Sequence, residues 1–331
     1  MKQYDIGLDL GTTSIIIATQ EQGVVFHQPS IGAVDTRSST ILAVGDKALR
    51  MVGRVPSYID IIRPLRDGII QDHRMTNELI VRFINEVCRS RIIKPRVSVC
   101  VPAAITGIEA DAVVEAVMAA GARQVFLVDE PVAAALGAGL DIRKPMGCMV
   151  IDIGGGGAGN AFDQCIAQYV QEKFNIAIGP LTAEALKKQV ACCTKSEFEG
   201  VMEIRGHSWE TNLPARRLVY TRDLYLPVQE LAARIAATAR NVLESTPPEL
   251  AADVAKNGIL LTGGGSMLRG LAGYIAGELH VDVAIAPDPI NCVARGTAAS
   301  LTLGQYLTAG FRDATPRAWH NRLQSPEGFS D

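Results

Sequence analysis

The sequence predicts an α/β protein built from two similar halves. Each half begins with a strand that ends in an aspartate followed closely by glycine. Residues 6–13 read Ile-Gly-Leu-Asp-Leu-Gly-Thr-Thr, and residues 150–157 read Val-Ile-Asp-Ile-Gly-Gly-Gly-Gly. Strand and helix patterns alternate after each of these segments, which is typical of layered α/β architecture. A third glycine run, Gly263–Gly265, ends another strand pattern. Because ligands of α/β sheets bind at the carboxyl ends of strands, we expect a cleft between the two copies that holds all three turns.

The first half alternates apolar strands with amphipathic helices. Apolar residues recur at helical spacing within Thr76–Arg91 and Ile108–Ala120, which predicts two helices with one buried face each. Pro131 opens an alanine-rich helix, since proline suits the first helical turn. The predicted strands are Ile6–Leu10, Ser14–Thr19, Ser30–Val34, Thr40–Val44, Arg96–Val101 and Val125–Val128.

The second half repeats this alternation. The predicted strands are Gly147–Ile153, Glu197–Arg205 and Asn257–Thr262, and the predicted helices are Asp163–Phe174, Thr182–Val190, Leu226–Ser245 and Gly296–Leu307. Pro247 and Pro248 end the longest helix. From Phe311 the chain is polar and without periodicity, which predicts a disordered tail over residues 311–331.

The composition narrows the class of protein. A chain of 331 residues is long enough for two domains, and 48% hydrophobic with 20% charged residues is globular composition. A net charge of −3, with lysine and arginine spread along the chain, argues against nucleic-acid binding. Seven cysteines without a Cys-x-x-Cys pair indicate reduced thiols in a cytoplasm. No apolar run approaches transmembrane length, and the N-terminus lacks a signal-peptide pattern.

The two aspartate–glycine turns indicate a site for a phosphate chain. A strand fixes the carboxylate of Asp9 or Asp152, and the following glycines let backbone N–H groups approach an anion. Either turn alone is better explained as a strand-end aspartate in an ordinary hairpin. Two such turns about a domain's length apart favour a phosphate chain that is gripped from both sides.

Several longer motifs resemble those of the MreB family of bacterial actins. This family lies within the actin/Hsp70/sugar-kinase ATPase superfamily, whose phosphate-1, phosphate-2 and adenosine motifs correspond to the three glycine turns. The resemblance implies an actin-like ATPase fold, with duplicated ribonuclease H-like domains around a nucleotide cleft and a shortened second half. It covers essentially residues 4–307 and is carried by Ile-Arg-Pro-Leu-Arg-Asp-Gly at 62–68, Lys-Pro-Arg-Val at 94–97, Asp-Glu-Pro-Val-Ala-Ala-Ala-Leu-Gly-Ala-Gly-Leu at 129–140, Thr-Pro-Pro-Glu-Leu-Ala-Ala-Asp at 246–253, Leu-Thr-Gly-Gly-Gly-Ser-Met-Leu-Arg-Gly-Leu at 261–271 and Cys-Val-Ala-Arg-Gly at 292–296.

The resemblance also implies four subdomains. Each half has a core subdomain, IA or IIA, and a small subdomain, IB or IIB. The implied bounds are 1–32 with 66–143 and 296–310 for IA, 33–65 for IB, 144–178 with 241–295 for IIA, and 179–240 for IIB.

Roles for individual residues follow from the resemblance. Asp9 and Asp152 face the magnesium ion, usually through water. Glu130 orients or deprotonates the attacking water, although by itself it is also a helix-start acid that complements the macrodipole. Glu184 and Lys187, three residues apart on one helix face, reach the ribose and base; without the resemblance they are a solvated pair. The residues that bind the phosphates and the adenosine are Gly11, Thr12, Thr13, Gly154, Gly155, Gly156, Gly263, Gly264 and Gly265.

The second glycine turn departs from the family pattern. In MreB this turn continues into Thr-Thr-Glu or Thr-Thr-Asp and a β-hairpin before the next helix. Here Gly156 passes through Gly157-Ala158-Gly159-Asn160 directly into a helix, so a hairpin is missing after residue 157 and the second sheet loses pairing partners. A hydroxyl that helps to place the water is also absent. Two functions therefore stay open: an ATPase that polymerises with ATP, and a hydrolysis-impaired paralogue or deletion variant that acts as a nucleotide-binding structural subunit.

The resemblance implies filaments beneath a membrane. Ile92 and Ile93 lie between basic residues in a predicted turn and match the family's membrane-inserting loop; the alternative is a helix end with one isoleucine tucked inward. The protein is then cytoplasmic and peripheral to the inner face of the cell membrane, and it organises cell-wall synthesis to maintain rod shape. The implied cofactors are ATP and Mg²⁺, and the implied partners are further copies of the chain, the membrane and the cell-wall elongation machinery, with no nucleic acid.

Two other members of the superfamily fit the sequence less well. An Hsp70-type chaperone would need a peptide-binding domain after the ATPase, and the sequence ends without one. A sugar kinase would need an additional catalytic base and sugar-binding insertions, neither of which is found. The MreB-like interpretation is therefore the leading hypothesis.

Overall fold

The computed structural model describes residues 5–66, 69–88, 94–195 and 198–316. The described residues form two compact units. The first unit comprises those of Met1–Arg143 and Asn291–Asp331, and the second comprises those of Lys144–Ile290. Within the described ranges, no helix is long and apolar enough to cross a membrane.

Strands and helices alternate in the first unit, which the chain leaves after Arg143 and re-enters at Asn291. Up to Gly137 the elements are β1 (Asp5–Leu10), β2 (Ser14–Thr19), β3 (Gly23–Pro29), β4 (Gly32–Asp35), β5 (Thr40–Val44), α1 (Asp46–Leu49), β6 (Ile59–Ile62), β7 (Leu65–Arg66), β8 (Ile69–Ile70), α2 (His73–Val87), β9 (Arg96–Val101), α3 (Gly107–Ala119), β10 (Gln124–Asp129) and α4 (Glu130–Gly137).

The second unit follows, and the chain then re-enters the first. The elements of the second unit are β11 (Met149–Asp152), α5 (Asn160–Phe174), β12 (Ile176–Ala177), α6 (Pro180–Gln189), β13 (Val201–Ser208), β14 (Pro214–Tyr220), α7 (Thr221–Ser245), α8 (Pro248–Asn257), β15 (Ile259–Thr262), α9 (Leu271–Leu279) and β16 (Val283–Ile285). The returning elements are α10 (Cys292–Leu303) and β17 (Phe311–Asp313).

The main sheet of the first unit brings the ends of three parallel strands to one level. Its described strands lie in the order β17-β10-β9-β1-β2-β3. Asp9 pairs with Cys100, and Cys100 pairs with Val128 on the next strand. Since neighbouring strands lie about 4.8 Å apart, the backbones of Asp9 and Val128 are roughly 10 Å apart at the same edge. Glu130 emerges two residues beyond Val128, so both predicted functional carboxylates of this unit belong to one sheet edge.

The two faces of β1 pack differently. Ile6 and Leu8 are fully buried in a cluster with residues of α2 and α3, as the alternation of a strand requires. Gly7 faces the other way, and a Cβ there would lie 2.2 Å from the backbone nitrogen of Ala298 in α10. The strand that carries Asp9 is therefore packed directly on the backbone of α10.

Helices α4 and α10 cross at glycine. A Cβ at Gly296 would lie 1.7 Å from the carbonyl oxygen of Ala133, and one at Gly137 would lie 1.7 Å from that of Cys292. Real side chains never approach that closely, so the crossing requires glycine on both helices. Helix α10 thus supports both the helix that begins at Glu130 and the strand that delivers Asp9.

The second unit has a smaller central sheet. Its described strands lie in the order β11-β15-β16 and are parallel, while β12, β13 and β14 form a separate antiparallel sheet. The residues between β11 and α5 are all described and contain no strand. The predicted direct passage from Gly156 into a helix is therefore confirmed.

The predicted disordered tail is wrong in part. Phe311–Asp313 was expected in a disordered tail, but it pairs with β10, and the ring of Phe311 stacks on Phe126 with 5.4 Å between centroids. Residues 317–331 of that tail lie outside the described residues. The predicted end of the longest helix before Pro247 and Pro248 is confirmed, since α7 ends at Ser245. Pro248 also opens α8, because proline is tolerated in the first turn.

Candidate functional site

The first glycine turn closes the hairpin between β1 and β2. Leu10 pairs with Ile15, and the carbonyl oxygen of Thr13 accepts a 2.9 Å hydrogen bond from the backbone N–H of Ser30. A Cβ at Gly11 would lie 2.7 Å from the oxygen of Ser14, so this tight turn depends on glycine. The turn therefore places Gly11, Thr12 and Thr13 at the end of the strand that carries Asp9.

Glu130 begins α4 at the end of β10. It lies in the first helical turn beside Pro131 and is half-buried. The preceding residue is fixed by the sheet, since the backbone N–H of Asp129 donates to the oxygen of Gly310 at 2.8 Å. This position suits a carboxylate that complements the macrodipole, and it also places the carboxylate at the sheet edge where β1 ends.

Asp152 is held by a residue that the sequence analysis did not single out. β11 and β15 are parallel neighbours in which Asp152 lies opposite Thr262. The hydroxyl of Thr262, which is fully buried, donates a 2.6 Å hydrogen bond to Oδ1 of Asp152. Burial raises the pKa of Asp152 above its ordinary value, and the hydrogen bond from Thr262 opposes this effect.

The second and third glycine turns contact each other through Ile153. The backbone N–H of Gly265 donates to the oxygen of Ile153 at 2.8 Å. Gly263 has φ +77°, and a Cβ there would lie 2.5 Å from the same oxygen. Gly264 is exposed, with no atom closer than 3.8 Å to such a Cβ. The predicted adenosine turn therefore needs Gly263 for its backbone, whereas Gly264 has no comparable steric requirement.

The second turn is itself helical. Gly155–Gly159 forms a π-helical turn that continues into α5, and Gly159 donates to the oxygen of Gly154 at 3.1 Å. The first N–H groups of a helix have no acceptor within the helix, and its positive end attracts anions. The turn contains no hydroxyl side chain, but it still offers backbone donors next to Gly154, Gly155 and Gly156.

Glu184 and Lys187 share a helix but make different contacts. The ammonium of Lys187 lies 2.9 Å from the oxygen of Gly159 and 2.9 Å from Oδ1 of Asp163. Glu184 forms an ion pair with Lys188 at 2.6 Å. Burial raises the pKa of Asp163, and Lys187 opposes that effect. Lys187 is therefore directed towards the second glycine turn.

Other predicted site features are not tested by the structure. Ile92 and Ile93 lie outside the described residues. Among the residues that are described, no group of three or more His, Cys, Asp and Glu side chains converges as a metal cage. The carboxylates predicted to face a metal, Asp9 and Asp152, belong to different units.

Comparison with known proteins defines the class. MreB5 of Spiroplasma citri, solved bound to ADP, is 32% identical with a TM-score of 0.85, covering 90% of this chain and 96% of that one. The fold is accordingly actin-like, as the sequence predicts. The family model of the MreB/Mbl protein matches residues 3–158 and 157–307. Cell shape-determining protein Mbl of Bacillus cereus is 40% identical over 317 residues, covering 90% of this chain and 95% of the relative. Cell shape-determining protein MreB of Escherichia coli K12 is 36% identical over 328 residues, covering 92% and 94%. The chain belongs to the MreB/Mbl family.

The family match is divided at the second glycine turn. Its two segments meet at residues 157–158, where the sequence predicts the missing hairpin. The alignment with the Bacillus cereus relative has 317 positions and covers 90% of this chain, which is about 298 of its 331 residues. About 19 positions of the relative therefore have no counterpart in this chain.

Proposed function

We propose that this chain is an actin-like subunit that binds ATP with magnesium and assembles into filaments that determine cell shape. One observation carries the proposal: each unit presents a glycine turn at the end of a strand that carries an aspartate. It is supported by MreB5 of Spiroplasma citri, which has been solved with ADP and with AMPPNP, and by relatives that are named for determining cell shape.

The proposed ligand contacts follow the three turns. Backbone donors and hydroxyls of Gly11, Thr12 and Thr13 would bind phosphates from the first unit, and Gly154–Gly156 would do so from the second. Gly263, Gly264 and Gly265 would approach the adenosine, with Glu184 near the ribose.

The proposed magnesium contacts are the carboxylates of Asp9 and Asp152. Magnesium prefers oxygen ligands and is commonly held by one or two carboxylates together with phosphates and water. The side chain of Asp152, half-buried and already oriented by Thr262, fits that chemistry.

Hydrolysis is the part of the proposal with two versions. Glu130 begins α4 at the sheet edge where β1 ends, a position that would let its carboxylate orient the attacking water, which favours an ATPase. The turn Gly155–Gly159 lacks hydroxyl side chains, which favours a subunit that binds nucleotide but hydrolyses it slowly. Both versions predict nucleotide binding.

We further propose that the filaments lie on the inner face of the cytoplasmic membrane and contact the cell-wall elongation machinery. This part is supported by the family resemblance and by the apolar pair Ile92 and Ile93 between basic residues. Vesicle co-sedimentation of the purified chain, compared with a variant carrying Ile92→Ser and Ile93→Ser, tests it.

The test of the ATPase uses Glu130→Gln. We expect ATP binding to persist while phosphate release falls by at least about a hundredfold, the usual contribution of a positioned base. The matched control is Glu249→Gln, because Glu249 also lies in a first helical turn beside a proline, Pro248. Isothermal titration and a phosphate-release assay give the two quantities. Background release by the unmodified chain would establish the slow version, and equal effects of both substitutions would reduce Glu130 to a helix-start acid.

The filament proposal is tested by sedimentation. ATP or AMPPNP should move the chain into the pellet at high speed, and removal of nucleotide should return it to the supernatant. If no nucleotide produces a pellet, the filament proposal is wrong even when ATP binds.

A further inference from the structure

Lys187 connects three separate parts of the second unit. The residue lies in α6. Its ammonium is 2.9 Å from the carbonyl oxygen of Gly159 and 2.9 Å from the carboxylate of Asp163. Gly159 is the last residue of the π-helical turn, and Asp163 lies in the first turn of α5. The side chains of Lys187 and Asp163 are only 14% and 17% exposed. Solvent and salt therefore screen this ion pair less than a surface pair.

The turn that Lys187 contacts is held mainly through its backbone, by the hydrogen bond from Gly159 to Gly154 and by the contact of Ile153 with Gly265. Residues 154–159 are five glycines and one alanine, so their side-chain packing is limited to the methyl group of Ala158 against the core of the unit. Glycine also loses more backbone freedom on ordering than any other residue. Direct passage into α5 leaves no hairpin behind the turn to support it. A charged donor on the last carbonyl of the turn supplies a fixed point, and hydrogen bonds to charged groups are stronger than neutral ones.

We propose that Lys187 is a positioning residue that fixes the shortened phosphate turn in the conformation that binds nucleotide. It acts through Gly159 and Asp163 rather than by touching the nucleotide. This inference rests on the proposed nucleotide function. It differs from the role that family resemblance gives Lys187, which is direct contact with the ribose and base.

The order of the turn is measured first without nucleotide. Lys187→Met keeps the length and apolar stem of the side chain and removes the charge. We expect amide hydrogen exchange across residues 155–163 to become at least about tenfold faster, since a part-buried charged hydrogen bond is lost. Lys187→Arg should restore most of the protection. Lys173→Met is the matched control: Lys173 forms an ion pair with Asp223 at the opposite end of α5, and its loss should leave exchange in the turn unchanged.

Nucleotide affinity is measured second, on the same variants. Lys187→Met should weaken ADP binding by about tenfold, which is typical for loss of a residue that orients a ligand contact. Asp163→Asn should act in the same direction. The double variant should cost less than the sum of the two, because both changes remove one interaction.

The outcomes separate this inference from the proposed function. Unchanged exchange with weakened ADP binding would overturn the positioning role and make Lys187 a direct ligand. Unchanged exchange and unchanged affinity would overturn it as well. Faster exchange in Lys187→Met, together with no binding of ADP by the unmodified chain, would uphold the structural role of Lys187 and refute the nucleotide proposal.

Discussion

Replacing Gly296 with alanine is expected to lower the free energy of unfolding by about 3 kcal/mol, at the upper end of the usual cost of overpacking. The new methyl carbon would lie 1.7 Å from the carbonyl oxygen of Ala133 and 2.7 Å from the nitrogen of Gly137. Both contacts are with backbone, so no side-chain rotation relieves them. Helices α4 and α10 must move apart, and the surrounding core loses contacts.

The matched control is the same chemical change in an open helix. Gly277 lies inside α9, is exposed, and has nothing within 4 Å of an added Cβ. Gly277→Ala should therefore raise stability by about 0.5–1 kcal/mol, because alanine favours the helix over glycine. The two substitutions should have opposite signs in urea unfolding monitored by circular dichroism. A stabilising Gly296→Ala would mean that the helices do not cross as closely as described.

The effect of Gly296→Ala should extend to the proposed function. Helix α10 packs on Gly7 of the strand that ends in Asp9, and on the helix that starts at Glu130. Separation of the helices would shift these two carboxylates relative to each other. At temperatures where Gly296→Ala is still folded, its rate of phosphate release should therefore be lower than that of the control variant Gly277→Ala.

Local patterns were sufficient to predict much of the fold. The helical face of α2 was predicted from apolar spacing, and its residues Leu79, Ile80, Phe83 and Ile84 are buried. The strands that carry Asp9 and Asp152 were predicted because apolar runs end abruptly in glycine. These features depend on residues close together in sequence, and their periodicity reports burial directly.

Two strands with mostly exposed residues were missed. β17 is only three residues long and mostly exposed, so nothing in Phe-Arg-Asp distinguishes it from a polar tail; its pairing with β10 creates the strand. β14 pairs with the neighbouring strand β13, but it contains adjacent arginines and is exposed at four of its seven positions, three of them consecutive. Such strands lack the alternation of apolar and polar residues that predicts a strand from sequence.

In the candidate site too, residues marked by a local sequence pattern were predicted, and residues that depend on long-range contacts were not. Its aspartates and glycines were found because each stands at a strand end. Thr262 and the contact of Lys187 with Gly159 were missed, because they depend on strand register and on helix packing across long separations. Thr262 lies 110 residues from Asp152, and a register shift of one residue would turn its side chain to the other face. The signal that could have found Thr262 is its place directly before the third glycine run.

Replacing Asp152 with asparagine is expected to make the protein more stable at neutral pH and less able to bind ATP with magnesium. Asparagine has the same shape, and its side-chain oxygen can still accept the hydrogen bond from Thr262. It removes a charge that burial disfavours, as the raised pKa of Asp152 shows. Magnesium-dependent ATP affinity should fall by more than about tenfold, since loss of groups that merely support metal ligands already costs that much.

The pH dependence of this stability difference has a definite sign. A carboxyl whose pKa is raised in the folded state contributes most stability when it is protonated, and that contribution is lost as pH rises through the raised pKa. The unmodified chain should therefore approach the stability of Asp152→Asn as the pH falls towards the ordinary range of aspartate. The gap should be widest near neutral pH. Urea unfolding at a series of pH values measures it.

Asp253→Asn distinguishes this effect from the loss of any carboxylate. Asp253 is in the same unit and accepts a 2.7 Å hydrogen bond from the backbone N–H of Gly147, but the glycine turns do not include it. Its replacement should leave magnesium-dependent ATP affinity unchanged. If Asp152→Asn were less stable than the unmodified chain at every pH and bound ATP equally well, Asp152 would be a structural residue. A gain in stability with a loss of affinity would instead identify Asp152 as a half-buried charge whose cost is offset only when a cation binds beside it.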